Sequence, residues 1–451
     1  MKNFKSYKDT RIPLNKFNVV VGPNASGKTN LTELFKLIKK IYKNGPDVNP
    51  FLDWWGYQNV VWQRDETLPI SVKFVMNINK YDVMYETTFT GIGGKFHFLK
   101  EHLKVNGIVD IVREGNWIFI KHDEKYLNKV WESALNFIEM LEYDLLPHIE
   151  KQFGKIPRNK EFYLNEKTFV NIKEDVSFLG NVISIPIIGY YEIGFFTIHK
   201  SPFEGKDIRG KRILPLIISP IVSTHKKKER IAIYEKSHVI DRVTSLILDF
   251  FANSRLLCPL NARKIKENIQ PVKKEKDLLD DGSNLQNVLY NIYLKEDKIP
   301  TRIKNALAIL FPNMNIRFEL TPDSRLFMKV MEKNLELYPP MISDSLYKIL
   351  AILTALDCEH SILVIDEIEN SLHPEAIELI IDELKNNDKQ VIITTHSPAV
   401  IDIVDPADLL IIERDNEGCS KARRIKNPQK LKQRLHELGI TVSEGWLYGK
   451  L

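Results

Sequence analysis

Cysteine is scarce in this chain. Three stand among 451 residues. Cys258, Cys358 and Cys419 are too far apart for a CxxC pair and too few for a disulfide framework, which excludes a stapled mini-fold and suits a reducing compartment. Long apolar runs are also missing. The longest, around 182–191 and 213–222, contain prolines and are too short to cross a bilayer. The opening segment Met1–Tyr7 has no apolar core of the kind a signal peptide needs. The expectation is a cytoplasmic protein without membrane contact. No internal repeat, low-complexity linker or sustained heptad pattern is present, so solenoids and extended coiled coils are excluded. Neither sign of charge dominates: 64 Lys and Arg against 59 Asp and Glu leave +5. Bulk charge therefore selects no partner.

What is present is a phosphate-binding loop. Gly22-Pro23-Asn24-Ala25-Ser26-Gly27-Lys28-Thr29 follows the β-branched run Phe17–Val21, a predicted buried strand, and precedes Asn30. Leu31, Leu34, Phe35, Ile38 and Ile41 then recur at helical spacing. A glycine-rich turn between strand and helix aims backbone N–H groups at an anion, and the helix N-terminus adds favourable partial charge. In this pattern Lys28 reaches the β- and γ-phosphates and the Thr29 hydroxyl holds Mg²⁺. The cofactors expected are ATP and Mg²⁺.

The rest of the chain suggests three parts. Residues 1–99 read as the first half of a nucleotide-binding head, 100–275 as a mainly helical insertion with some β hairpins, and 276–451 as the second half with a basic tail. From about 58 to 120 the pattern is an antiparallel meander. Ile70, Val72, Phe74, Met76 and Ile78 alternate with other residues, as do Tyr81, Val83 and Tyr85. Gly91–Gly94 and Glu114–Asn116 supply turns. Helices are expected over 124–152 and within 225–270. Leu279–Leu285 reads as a turn and helix cap. Toward the C-terminus the order is helix 345–356, strand Ile362–Ile365, helix Pro374–Lys385 and strand Val391–Thr394, the alternation of a parallel sheet. The fold class is α/β, a P-loop NTPase head with a mixed or parallel sheet and an antiparallel β subdomain.

Two of these strands end in chemistry. Ser361–Ile365 runs into Asp366 and Glu367, at a strand C-terminus where ligands collect in such sheets. Asp366 is the candidate to hold Mg²⁺ opposite Thr29, and Glu367 to orient or deprotonate the attacking water. Val391–Thr394 leads to His396, poised to contact the γ-phosphate or that water. Upstream, Ser343 precedes Asp344 and Ser345 as a helix cap. Free N–H groups there make either a plain cap or an anion site.

The order of phosphate loop, serine-rich cap, strand-Asp-Glu and strand-His resembles ABC-type ATPase heads of the SMC and RecF kind. Asn3-Phe-Lys-Ser-Tyr7 and Gly22–Asn30 carry the likeness at the N-terminus. Asp281–Leu285, Ser343-Asp344, Glu369–Pro374, Thr395–Pro398 and Gly445–Gly449 resemble stand-alone AAA family ATPases related to the OLD group. The resemblance implies ATP sandwiched in a head-to-head homodimer. Ser343, Asp344 and Ser345 would meet the γ-phosphate held by the opposing copy, and Glu369–His373 would form the loop crossing the interface. Glu367 carries over as catalytic base and His396 as switch histidine. Ser345 stands where glycine is usual, Lys348 where arginine is frequent and Ile368 where proline is frequent. Gln58 and Gln63 are candidates for the Mg²⁺-sensing glutamine. The nuclease domain of the OLD group needs on the order of a hundred residues, more than follow His396, so a built-in nuclease is not expected.

The partners expected are a second copy, DNA or a separate effector protein, in genome maintenance or in defence against mobile elements. Two basic clusters motivate DNA, 226–230 and the run Lys421–Arg434, which holds seven basic residues and no acidic one. A solvated surface explains either equally well. Two other functions stay open: a transporter ATPase subunit, and a nucleotide-gated scaffold with little turnover.

Overall fold

The computed structural model describes residues 1–43, 48–78, 80–115, 117–125, 128 and 239–449, with short strands at 165–169, 197–200, 205–206, 212–213 and 216–219. The chain forms two compact units, Met1–Phe4 with Asn44–Asp249 and Lys5–Lys43 with Phe250–Leu451. The expected basic cluster 226–230 and nearly all of the expected helix 124–152 lie outside the described residues.

The first unit carries an antiparallel sheet. Its strand order is Lys2–Phe4, Ile70–Ile78, Tyr81–Thr90, His97–Val105, Val109–Glu114, Trp117–His122 and Asn165–Phe169. Alternation explains it: Ile70, Val72, Val83, Tyr85, Leu103, Val105, Val109 and Ile111 are buried while their neighbours along each strand are more exposed. The same alternation carries His97–Val105 across position 99, so the meander continues past the expected boundary. Residues Leu52–Arg64 form short 3-10 turns. Inside the sheet Glu101 lies opposite Arg113 on the adjacent strand. Arg113 Nη1 donates to Glu101 Oε2 at 2.9 Å, and Tyr85 donates its hydroxyl to Glu101 Oε1 at 2.7 Å.

The second unit is built on a six-stranded sheet. The order is Arg255–Leu257, Ile362–Ile365, Gln390–Thr394, Phe17–Val21, Leu409–Arg414 and Ser420–Arg424. Only the last pairing is antiparallel. Its inner strands are near-continuous apolar runs, as strands covered on both faces require. Arg255–Leu257 falls within the segment expected as an insertion, yet pairs with Ile362–Ile365 in this sheet. The helix Asp344–Asp357 buries ten residues, Leu346, Tyr347 and Ile349–Leu356. Lys28–Lys43 is the helix after the phosphate loop, and Pro374–Lys385 starts with proline in its first turn. A smaller antiparallel sheet joins Gln270–Pro271, Arg325–Glu332, Met314–Leu320 and Leu335–Leu337. The expected turn at 279–285 is fixed by Asn284: its Oδ1 accepts from Leu279 N and its amide donates to Asp277 O.

Candidate nucleotide-binding site

Three neighbouring parallel strands deliver the site. Phe17–Val21 pairs with Gln390–Thr394, which pairs with Ile362–Ile365. Because all three run the same way, the phosphate loop, the Asp366–Glu367 turn and the Thr395–His396 turn emerge at one edge. Positions far apart in sequence thus share one surface, the edge where parallel α/β sheets bind ligands.

The loop has room for nothing beyond its own atoms on the inner side. A side-chain carbon at Gly22 would collide with the Ile412 carbonyl. Gly27 sits at φ 113°, and a side chain there would strike the Ser420 and Ser6 hydroxyls. Behind the loop, Ser420 Oγ lies between Ser6 Oγ (2.7 Å) and the Ser26 carbonyl. Tyr7 donates to Gly27 O at 2.8 Å and Asn30 to Ser6 Oγ at 2.7 Å. Burial pushes the Tyr7 hydroxyl far above its ordinary range, so it stays a donor. Pro23, Asn24, Ala25 and Thr29 are exposed on the outer side.

Lys28 is 4% exposed and donates to Gly22 O at 2.7 Å and Pro23 O at 2.9 Å. Burial holds its ammonium below the usual lysine range; Asp366, Glu367 and Glu369 pull it back up. That places three carboxylates within electrostatic reach of the lysine. Asp366 Oδ1 accepts from the Thr394 hydroxyl at 2.6 Å. Burial raises the Asp366 carboxyl, opposed by that hydrogen bond and by His396, and assisted by Glu367 and Glu33. Glu367 adopts φ 51°, a left-handed backbone uncommon outside glycine. Its N–H donates to Thr394 Oγ1 at 2.9 Å and its Oε2 accepts from the Asn370 amide at 2.6 Å. Strain of this kind clusters at functional turns.

ATP and Mg²⁺ fit these groups. Among the described residues the buried Ser26 hydroxyl has no hydrogen-bond partner, an acceptor-and-donor group fixed in the loop. Close contacts exclude a side chain at Gly22 and at Gly27, and in a loop of this kind backbone N–H groups meet phosphate oxygens. Asp366 and Thr29 offer hard oxygen donors of the type Mg²⁺ takes.

Ser343 caps its helix as expected, accepting from Leu346 N at 3.2 Å. Asp344 pairs with Lys266 Nζ at 2.6 Å, and Ser345 is half-buried. The structure connects this helix to the turn after Asp366 and Glu367 through Lys348, which donates to Asn370 O at 2.9 Å. Gln58 and Gln63 belong to the first unit, both exposed. Sequence reasoning missed Ser420. It lies 414 positions from Ser6 in an antiparallel hairpin, and nothing in the local pattern marks it. Ser6 and Tyr7 lie within the N-terminal segment Asn3–Tyr7, whose local pattern marks no role for them.

Two family models match the chain. Residues 1–192 match an AAA ATPase domain, and residues 233–402 match an AAA domain described as putative AbiEii toxin, Type IV TA system. No curated protein matches the sequence. Among solved structures, an SMC head bound to the C-winged helix domain of ScpA is similar at TM-score 0.40 and 12% identity, over 96% of this chain and 97% of that one. The SMC head domain from Thermotoga maritima gives TM-score 0.38 and 13% identity over 94% and 97%. A Pyrococcus furiosus Smc head with an extended coiled coil, bound to the C-terminal domain of ScpA, gives 0.38 and 12% over 97% of each chain.

Proposed function

We propose, from the premise that this chain belongs to the AAA-type ATPases, that it hydrolyses ATP with Mg²⁺ and uses the nucleotide as a dimerisation switch. The observation that carries the reading is Lys28, buried in the field of Asp366, Glu367 and Glu369 at the shared edge of three parallel strands. Lys28 and the loop N–H groups bind and orient the phosphates. Thr29 and Asp366 would hold Mg²⁺, which would supply charge neutralisation at the phosphate oxygens. Glu367 takes the proton of the attacking water, with Asn370 fixing one carboxylate oxygen and leaving the other for the water. Thr394 keeps Asp366 and Glu367 in register by bonding to both.

Dimerisation is supported by the exposed start of the Asp344–Asp357 helix. Ser343 and Asp344 are exposed and would meet a nucleotide held by a second copy. The link from Lys348 to Asn370 then joins that helix to the turn that carries Glu367. We place the protein in the cytoplasm, working with DNA or a separate effector; the toxin–antitoxin wording of one matched family supports a defence role over housekeeping.

Glu367→Gln tests the assignment. It should cut turnover by roughly 10²–10⁴-fold, keep ATP binding and accumulate the dimer in sedimentation velocity with ATP. Normal hydrolysis by this variant removes Glu367 as base. Lys28→Ala should lose nucleotide affinity in equilibrium titration; unchanged affinity removes the loop from the site.

A further inference from the structure

Glu369 stands two residues beyond the proposed base. Its Oε1 accepts the His396 N–H at 2.6 Å, while Oε2 is buried with no hydrogen-bond partner among the described residues. Burying half a carboxylate dry is costly, and such cost is tolerated where geometry matters more than stability.

The surroundings say what geometry is being held. Past the ends of their strands, the two turns stay joined: Glu367 N donates to Thr394 Oγ1 at 2.9 Å and Ile368 N to Thr394 O at 3.2 Å. The Glu369 bond to His396 N is the next rung outward. The turn at His396 begins after Thr395, whose N–H is taken by Val20 O at 3.1 Å. The histidine backbone is therefore anchored on one side by the loop strand and on the other by Glu369.

We propose that Glu369 is a positioning residue that sets His396 for ATP hydrolysis. The proposal rests on the ATPase reading above. Glu369 ties the histidine turn to the Asp366–Glu367 turn, so that base and histidine move as one unit beside Lys28. Its effect on turnover runs through His396, whose backbone it holds, while the loop makes the contacts that bind the nucleotide.

A double-mutant cycle tests this. Glu369→Ala should lower kcat by about tenfold or more with KM for ATP within about threefold, the signature of a group that does not bind substrate. Glu369→Gln keeps a carbonyl acceptor for the His396 N–H in the same volume, and should restore most of the rate. In a His396→Ala background, Glu369→Ala should add no further loss. Parental kcat in Glu369→Ala, or multiplicative losses in the double variant, overturns the proposal. The imidazole resonance of His396 in nucleotide-free protein gives a second readout, displaced in Glu369→Ala and restored in Glu369→Gln. If the parent protein hydrolyses no ATP, the ATPase reading falls, and an unmoved resonance overturns the Glu369–His396 coupling separately.

Discussion

Single residues in this protein take their character from burial more than from type. Lys28 and His360 are both basic, both buried and both shifted toward neutrality, yet for different ends. Lys28 keeps three carboxylates nearby that offset part of the effect of burial. Among the described residues His360 has no such partner: Nδ1 meets Cys358 O at 2.9 Å and the buried Nε2 meets none. Burial, with Lys389 and Arg255 adding to it, pushes the His360 imidazole down to about 4. The unfolded chain binds a proton near the ordinary histidine value while the folded chain refuses it. Stability is therefore full above pH ~6.5 and is lost as pH falls toward 4, by up to roughly 3 kcal/mol. Urea unfolding at pH 7, 5.5 and 4.5 should show this slope in the parent protein and a shallower one in His360→Gln. Equal slopes would place the acid sensitivity elsewhere. The sequence flagged Lys28 because its motif is local. It could not flag His360, whose environment comes from a strand end, a helix end and Arg255.

Elements repeat the lesson one level up. Phe17–Val21, Ile362–Ile365 and Pro374–Lys385 were readable because their apolar period and end signals lie within a few residues. Arg255–Leu257 was not: three residues are too short for a period, and only pairing with Ile362–Ile365 makes them a strand. The charged pair inside the antiparallel sheet is a different case, placed by alternation but paired only by the fold. Glu101 is fully buried and Arg113 is 1% exposed, positions that alternation assigns correctly to the inner face although both residues are charged. Removing Arg113 takes the guanidinium away from a fully buried carboxylate. Arg113→Met should cost about 3–5 kcal/mol. Adding Glu101→Leu should recover most of it, since Tyr85 then loses only one acceptor. Chemical denaturation of both variants checks the pair; equal losses would mean that packing, not charge, governs the site.

At the scale of the molecule, net charge misleads less than the run Lys421–Arg434 does. Seven basic residues in sequence suggest a DNA-binding stripe, but folding commits four of them. Arg423 pairs with Glu413, Lys432 with Asp405 and Lys421 with Asp415, while Arg424 turns inward to the carbonyls of Pro13 and Asp408. Lys426, Lys430 and Arg434 carry no ion pair among the described residues. If DNA binds through this run alone, the logarithm of affinity should fall with the logarithm of salt with a slope no steeper than about −3. Fluorescence anisotropy across a salt series measures it. A steeper slope would show that another basic surface takes part. Among the described residues no helix is long and apolar enough to cross a membrane.

The sequence by itself determined the chemistry of the phosphate loop, the strand ending in Asp366 and Glu367, and the strand ending near His396. Each is a contiguous segment whose spacing and side chains act within a few residues, so reading them needs no partner. Tertiary structure alone decided which segments share an edge and what stands behind them. Parallel pairing brought residues 21, 366 and 396 to one surface. A hairpin at the far end of the chain supplied Ser420 to the floor of the loop, and Glu369 was given its bond to His396. Those contacts link positions too distant for any local pattern, and only the packed sheet fixes their distances.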